Sequence, residues 1–309
     1  MAYVVSSLPA YTNEPEKIIY EKLFTGSPTM EICKGNMQTG IKSAETINIL
    51  NTEFVLQAQS CALNPSGSTT FTQRTLTVGK MKIDGSFCER DLEPKFTQKA
   101  MQAGGNYDSL TYNTEIVDSS LNKVAKRMAT AVWKGDTASV DQYLLHFNGL
   151  IKTLNADIPA ANKYSGTTWN ETNARAALKA FANLIIQNQD VYMGGNTTIQ
   201  VFCSPANKAV YRWALIAANL FSVNAADPNQ KLYIEGTNIE LVEDIGLAGL
   251  HYFYAIEPEN IVAGTDMENE QEKVDVWFSK DDQKIYLHAE WKFAVNVAFE
   301  GRCFSYLGV

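Results

Sequence analysis

The sequence predicts an α+β fold in which a compact body is inserted, along the chain, between one long helix and one long closing strand. Three patterns carry this expectation. From Ile285 to Glu300 apolar and polar residues alternate, placing Ile285, Leu287, Ala289, Trp291, Phe293, Val295, Val297 and Phe299 on one face of a strand. From Asn113 or Thr114 to Lys134 apolar residues fall at Val117, Leu121, Val124, Met128 and Val132, the spacing of an amphipathic helix, with Lys123, Lys126 and Arg127 opposite and Gly135 as its stop. Between the two, residues 141–270 alternate short helical and strand-like segments.

In chain order, residues 1–13 have no period and predict an extended arm. Glu14 to Phe24 sets Ile18, Ile19, Leu23 and Phe24 behind an acidic turn and stops at Gly26 and Pro28, predicting a short helix. Thr46 to Ala58 and Thr70 to Ile83 are strand-like, joined through Cys61 to Ser68, where Pro65 and Gly67 mark a turn. Both runs carry polar groups on both faces, among them Asn48, Asn51, Gln57, Thr72, Gln73, Arg74, Thr75 and Thr77. Each would reach about 40 Å, and a lone two-stranded ribbon with no buried face is marginal in water, so it reads as an arm completed by a neighbouring chain. Glu89 to Ala103 predicts a helical piece broken near Pro94.

Within the body, helices are expected at Gln142 to Leu154 and from the capping box Thr168-Trp-Asn-Glu171 through Ala177, Leu178, Phe181, Leu184 and Ile185. Thr198 to Cys203 predicts a strand. Ser204 and Pro205 then supply an N-cap and a first-turn proline for a helix through Val210, Trp213 and Ala217. Further strands are expected at Ile239 to Val242 and Tyr252 to Ile256.

Composition narrows the function classes. The 309 residues suffice for roughly two domains, and only 19% are charged, with 26 Lys and Arg against 34 Asp and Glu, a net charge of −8. A 45% apolar share excludes intrinsic disorder, and the acidic balance gives no basic footprint for reading DNA directly. No run approaches the roughly 20 apolar residues of a membrane helix, and Met1 to Pro15 lacks a secretory pattern, so a cytoplasmic setting is expected. The cysteines at 33, 61, 88, 203 and 303 show no CxxC spacing and read as reduced, mostly buried residues.

Catalytic patterns come close and fail on spacing. Gly35 to Ser43 resembles a phosphate-binding loop, but Ile41 separates Gly40 from Lys42, where that chemistry needs the amine directly after the glycine. His288-Ala-Glu290 has the H-x-E of zinc deaminases without the P-C-x-x-C that completes it. His146 and His251 have no metal-ligand partner at helical spacing, and the acidic stretch Asp266 to Asp275 lacks the calcium-loop order of ligands. No enzyme activity and no cofactor or metal is expected.

The order of elements, the closing Trp291-Lys-Phe-Ala-Val-Asn-Val-Ala-Phe-Glu300, and Thr198-Ile-Gln-Val-Phe-Cys-Ser-Pro205 leading into Ala206 to Trp213 resemble the major capsid proteins of tailed bacteriophages, with the Hong Kong 97-type fold. The resemblance implies an N-arm at 1–40, an extended E-loop at 41–84, a peripheral P-domain made of 85–135 with 271–309, and an axial A-domain at 136–270. It implies hexamers and pentamers closing into an icosahedral head around double-stranded DNA, without sequence-specific binding, and assembly in the host cytoplasm. A separate scaffolding protein, a portal and decoration proteins are the implied partners. Phe71, Arg74, Lys80, Lys82 and Arg90 are the expected inter-subunit contacts, since aromatic and Arg side chains dominate interfaces. Some relatives join a hairpin Lys to a P-domain Asn; Lys80 or Lys82 with Asn296 would be the pair here. An encapsulin-type nanocompartment shell shares the implied fold, and a monomeric α/β binding protein is the reading from another class.

Overall fold

A computed structural model describes residues 27–59, 66–88, 109–166, 168–188, 191–192, 199–218, 231–266 and 274–308. The expected helix at 14–24, the piece at 89–103 and Arg90 lie outside them. Among the described residues the chain forms α1 (Pro28–Gly35), β1 (Met37–Gln38), β2 (Ala44–Phe54), β3 (Gly67–Thr77), β4 (Gly79–Phe87) and α2 (Ser109–Lys134). The body follows with α3 (Leu150–Asp157), β5 (Lys163–Ser165), α4 (Ala174–Gln187), β6 (Gln200–Cys203), α5 (Pro205–Ala217), β7 (Leu232–Tyr233), β8 (Glu240–Glu243) and β9 (Tyr252–Ile256). The chain closes with β10 (Ile261–Gly264), β11 (Val274–Ser279), β12 (Lys284–Val297) and β13 (Phe304–Leu307). The architecture is mixed α+β.

The alternating run forms one strand, β12, and its apolar face packs where periodicity places it. Trp291, Phe293 and Val295 share a buried cluster with Met128, Val132 and Trp133 of α2 and with Phe147, Leu150 and Leu154. Phe293 meets Phe147 edge-on at 5.4 Å between ring centroids. Trp133 stacks on Tyr254 at 5.7 Å, and its indole N–H donates to Thr29 Oγ1 at 3.1 Å, so the one polar atom of this fully buried ring is satisfied. Each such side chain contributes about 2 kcal/mol by leaving water. Phe299 departs from the pattern: β12 ends at Val297, and Phe299 is exposed.

β12 is the hub of a five-stranded sheet. β4 runs antiparallel along one side from Gly79↔Phe293 to Phe87↔Ile285, β11 and β10 pair antiparallel along the other, and β1 adds to β10 in parallel. A second sheet, ordered β5-β13-β9-β6-β8-β7, carries the body, with Phe181, Val201, Tyr211, Phe253 and Tyr306 in its core. The ribbon β2-β3 forms a third, separate ladder.

Several elements differ from expectation for identifiable reasons. Pro28 opens α1, a helix not expected from the sequence: Ser27 Oγ accepts from Met30 N, and the buried Asp244 carboxylate accepts from Thr29 N, so proline occupies the first turn, where its missing N–H costs nothing. The run Thr70 to Ile83 splits at Val78 and Gly79. A Cβ at Gly79 would lie 2.1 Å from the His146 carbonyl oxygen, so only glycine lets β3 pass into β4 there. α2 begins at Ser109, earlier than Asn113.

The helix expected from Gln142 starts only at Leu150. Asp136, Asp141 and Asn148 accept from backbone N–H groups of Ala138, Tyr143 and Thr137, holding this stretch in turns. The Thr168 to Glu171 capping box does not form. Asn170 instead accepts from Asn173 N, and α4 starts at Ala174. Ser204 and Pro205 behave as expected, with Ser204 Oγ accepting from Asn207 N at 3.2 Å.

The end of the chain crosses between the sheets. Asn260 donates to the Phe299 carbonyl at 2.9 Å and accepts from Phe299 N at 2.6 Å, turning the chain out of β12. β13 then pairs with β9 and β5, so 304–307 hydrogen-bonds into the sheet of the body.

Candidate assembly surface

β2 and β3 pair in register from Ala44↔Thr77 to Phe54↔Gly67. At its base the ribbon is held by apolar packing of Leu76, Ile41 and Val78 on Ala294 of β12. Val78 N donates to Ser43 O, and Asn296 Nδ2 donates to Thr75 O at 3.2 Å. Arg74 adds a polar clamp. Its guanidinium is only 13% exposed, donates to Val297 O at 2.7 Å, lies 3.2 Å from Glu300 and pairs with the Asp157 carboxylate.

Beyond Arg74 the second strand is exposed at every residue from Gly67 to Gln73. Directly opposed residues of an antiparallel ladder share a face, and neighbours along a strand alternate. Arg74 and Leu76 therefore take the face toward the body, while the opposed pair Leu50 and Phe71 takes the other. Phe71 is 74% exposed, Leu50 55% and Leu56 at the far end 100%. Gln73 Nε2 donates to Asn48 Oδ1 across that same face at 2.9 Å. Leu50 and Phe71 lie directly opposed and so form one contiguous apolar patch rimmed by polar residues, the composition of an interaction surface.

The outer face of the β4-β12 pair is charged. Lys82 Nζ lies 2.8 Å from Asp84, and the same carboxylate meets His288 Nδ1 at 2.6 Å, with Glu290 3.5 Å from the other ring nitrogen. The Lys82 hydrogen bond, followed by that of His288, holds the Asp84 carboxyl below the usual range, and the Asp84 partnership raises the Lys82 ammonium. Lys292 pairs with the buried Asp266 at 2.6 Å. At the β11-β12 turn, exposed Trp277 stacks on Tyr286 at 5.5 Å. On the body, the outer face of α5 presents Trp213 and Ile216.

Of the residues expected at contacts, Phe71, Lys80 and Lys82 stand in solvent, Lys80 and Lys82 on β4 rather than on the ribbon. Arg74 is engaged within its own chain. The Asn296 carboxamide is likewise in use, donating to Thr75 O and accepting from Val297 N at 2.8 Å. Leu50 and Leu56 were not singled out from sequence; Trp213, expected among the apolar positions of the helix after Pro205, is instead exposed.

Ile41 is buried in the small cluster under the ribbon, and His288 sits among carboxylates on an open sheet face, away from the buried Cys303. His251 meets Asn207 at 2.9 Å. Burial pushes the Cys33 and Cys303 thiols up to about 12, and raises Cys203 further. Among the described residues no group of three His, Cys, Asp or Glu is placed to hold a metal, and no helix is long and apolar enough to cross a membrane.

No family model and no curated protein matches the chain by sequence. Solved structures do match. A chain of the satellite phage P4 procapsid, a structure that includes the size determination (Sid) protein, superposes with a TM-score of 0.62 at 10% identity, over 94% of this chain and 90% of that one. A chain of the cyanophage A-1(L) capsid asymmetric unit gives 0.62 at 13% identity, over 92% and 93%. A chain of the capsid of Myoviridae phage XM1 gives 0.50 at 11% identity, over 89% and 90%. With sequence this divergent and coverage nearly complete for both chains, what is shared is the arrangement of the elements: this chain has the fold of these phage capsid chains.

Proposed function

We propose that the chain is the major capsid subunit of a tailed phage, assembling into hexamers and pentamers that close into an icosahedral head around double-stranded DNA. The observation that carries this is the ribbon: an arm of eleven paired positions on each strand, buried against the body as far as Ile49, that offers Leu50 and Phe71 to solvent in a fold shared with phage capsid chains. An isolated two-stranded ribbon of this kind gains its stability by lying on another molecule, and in a shell that molecule is a second copy.

In this reading β2-β3 is the E-loop, α2 with the β12 sheet forms the P-domain, and the sheet around β9 forms the A-domain, to which β13 returns. Residues 1–40 form the N-arm, of which 27–40, with α1 and β1, is the described part. Phe71, Lys80, Lys82 and Arg90 remain proposed contacts with neighbouring subunits, as does Arg74 through the position it gives the ribbon. The subunit acts by geometry and not by catalysis; the head is assembled in the host cytoplasm on a scaffold and joined by a portal. The sparse charge of the chain fits a surface mostly covered by neighbours, because interface cores are depleted in Lys, Glu and Asp.

Electron microscopy of the full-length protein, expressed alone and with the scaffold encoded beside its gene, tests the reading. Closed shells support it. A protein that stays monomeric in every condition overturns it, and shells filled with enzyme cargo in place of DNA would assign the chain to nanocompartments.

A further inference from the structure

Arg74 is the outermost position of β3 that is not exposed. Three acceptors converge on its guanidinium, the Val297 carbonyl at the end of β12, Glu300 in the turn that follows, and Asp157 at the last residue of α3. A planar fork bonded to acceptors on separate segments fixes an orientation, whereas the apolar packing of Leu76 at the base fixes only proximity. Seven register pairs, from Asn48↔Gln73 to Phe54↔Gly67, extend beyond it. Ile49, two residues beyond Arg74's partner Ile47, is still buried, so five pairs, from Leu50↔Phe71 to Phe54↔Gly67, stand clear of the body. At about 3.3 Å per residue that is an overhang of roughly 17 Å, and a tilt of about 10° at the base moves the far end by about 3 Å.

We propose that Arg74 is the pin that sets the angle at which the ribbon leaves the body, and that this angle sets the curvature with which subunits join. The first half concerns a single chain; the second rests on the shell reading above. An interface of side chains such as Leu50 and Phe71 is sensitive to displacements on the scale of a methyl group, so a shift of several ångströms exchanges one set of inter-subunit contacts for another.

The test uses the full chain carrying Arg74→Met, Arg74→Lys, or Asp157→Asn with Glu300→Gln. Amide hydrogen exchange over 44–54 and 67–77 is read on unassembled protein, and particle diameters are read by cryo-electron microscopy. Arg74→Met is expected to melt within about 5 °C of the parent. Exchange at the ribbon base should accelerate about tenfold or more while β12 is unchanged, and the shells should spread over several diameters. Arg74→Lys, which keeps the charge and loses the fork, should follow Met and not the parent.

Unchanged exchange in Arg74→Met overturns the pin. Faster exchange with shells of the single parental diameter overturns the link to curvature. Should Arg74→Met fail to fold, the carboxylate pair variant decides: it retains the bond to Val297, should loosen the ribbon by a smaller factor in the same direction, and overturns the proposal if exchange and diameter both stay parental. If the parent itself forms no shells, the curvature half falls with the shell reading, and exchange alone decides the pin.

Discussion

Leu50 and Phe71 face each other directly across the β2-β3 ladder, on the side of the ribbon away from Arg74, and both side chains stand largely in solvent. Paired apolar groups at this exposure contribute little to the stability of the chain that carries them. Replacing both with Ser is therefore expected to leave the melting temperature within about 3 °C of the parent, since surface substitutions cost roughly 0.5 kcal/mol or less, and to abolish or strongly reduce shell formation. Thermal unfolding together with particle counts in electron micrographs checks both halves. A variant that melts normally and assembles normally removes this pair from the interface.

At Gly79, the first residue of β4, the backbone passes against that of His146. Gly79→Ala places a methyl group 2.1 Å from a carbonyl oxygen, a contact that backbone must relieve. Overpacking of this kind costs about 1–3 kcal/mol. Urea unfolding should show the midpoint falling with little change in slope.

Trp133 joins the end of α2 to Thr29, Tyr254 and Phe202. Trp133→Ala should cost about 3–5 kcal/mol, and Trp133→Phe less, chiefly through the unpaired Thr29 hydroxyl. Equilibrium unfolding measures both, and equal costs for the two would mean that volume contributes nothing.

The thiols give a chemical test of the core. Cys33 and Cys303 ionise only near pH 12, and Cys203 is fully buried with its thiol raised further, so none should react with a thiol reagent at pH 8 while the protein is folded. In guanidinium all three should react within minutes. Mass spectrometry of labelled peptides assigns each site, and labelling of Cys203 in native protein would contradict the packing of β6.

Long periodic elements were legible in the sequence because many residues vote for each. The alternation along β12 and the spacing of Val124, Met128 and Val132 in α2 both correspond to buried faces. Short strands such as β10 and β13 carry four residues each, too few for a period to emerge, and their pairing is decided by distant partners. α1 was not legible because it spans only eight residues; the Ser27 cap and the contact with Asp244, far away in sequence, hold its first turn. Arg74 was read as a contact residue from its type and place on an exposed ribbon. Its three acceptors lie more than eighty positions away, and nothing local marks them.

Cryo-electron microscopy of assembled particles, at a resolution that places side chains, tests the central claim most directly. The account predicts a closed icosahedral shell in which the ribbon of each subunit lies on its neighbour, with Leu50 and Phe71 buried beneath it. A shell whose ribbons stand free in solvent with Phe71 uncovered, or a protein that forms no shell, would contradict it.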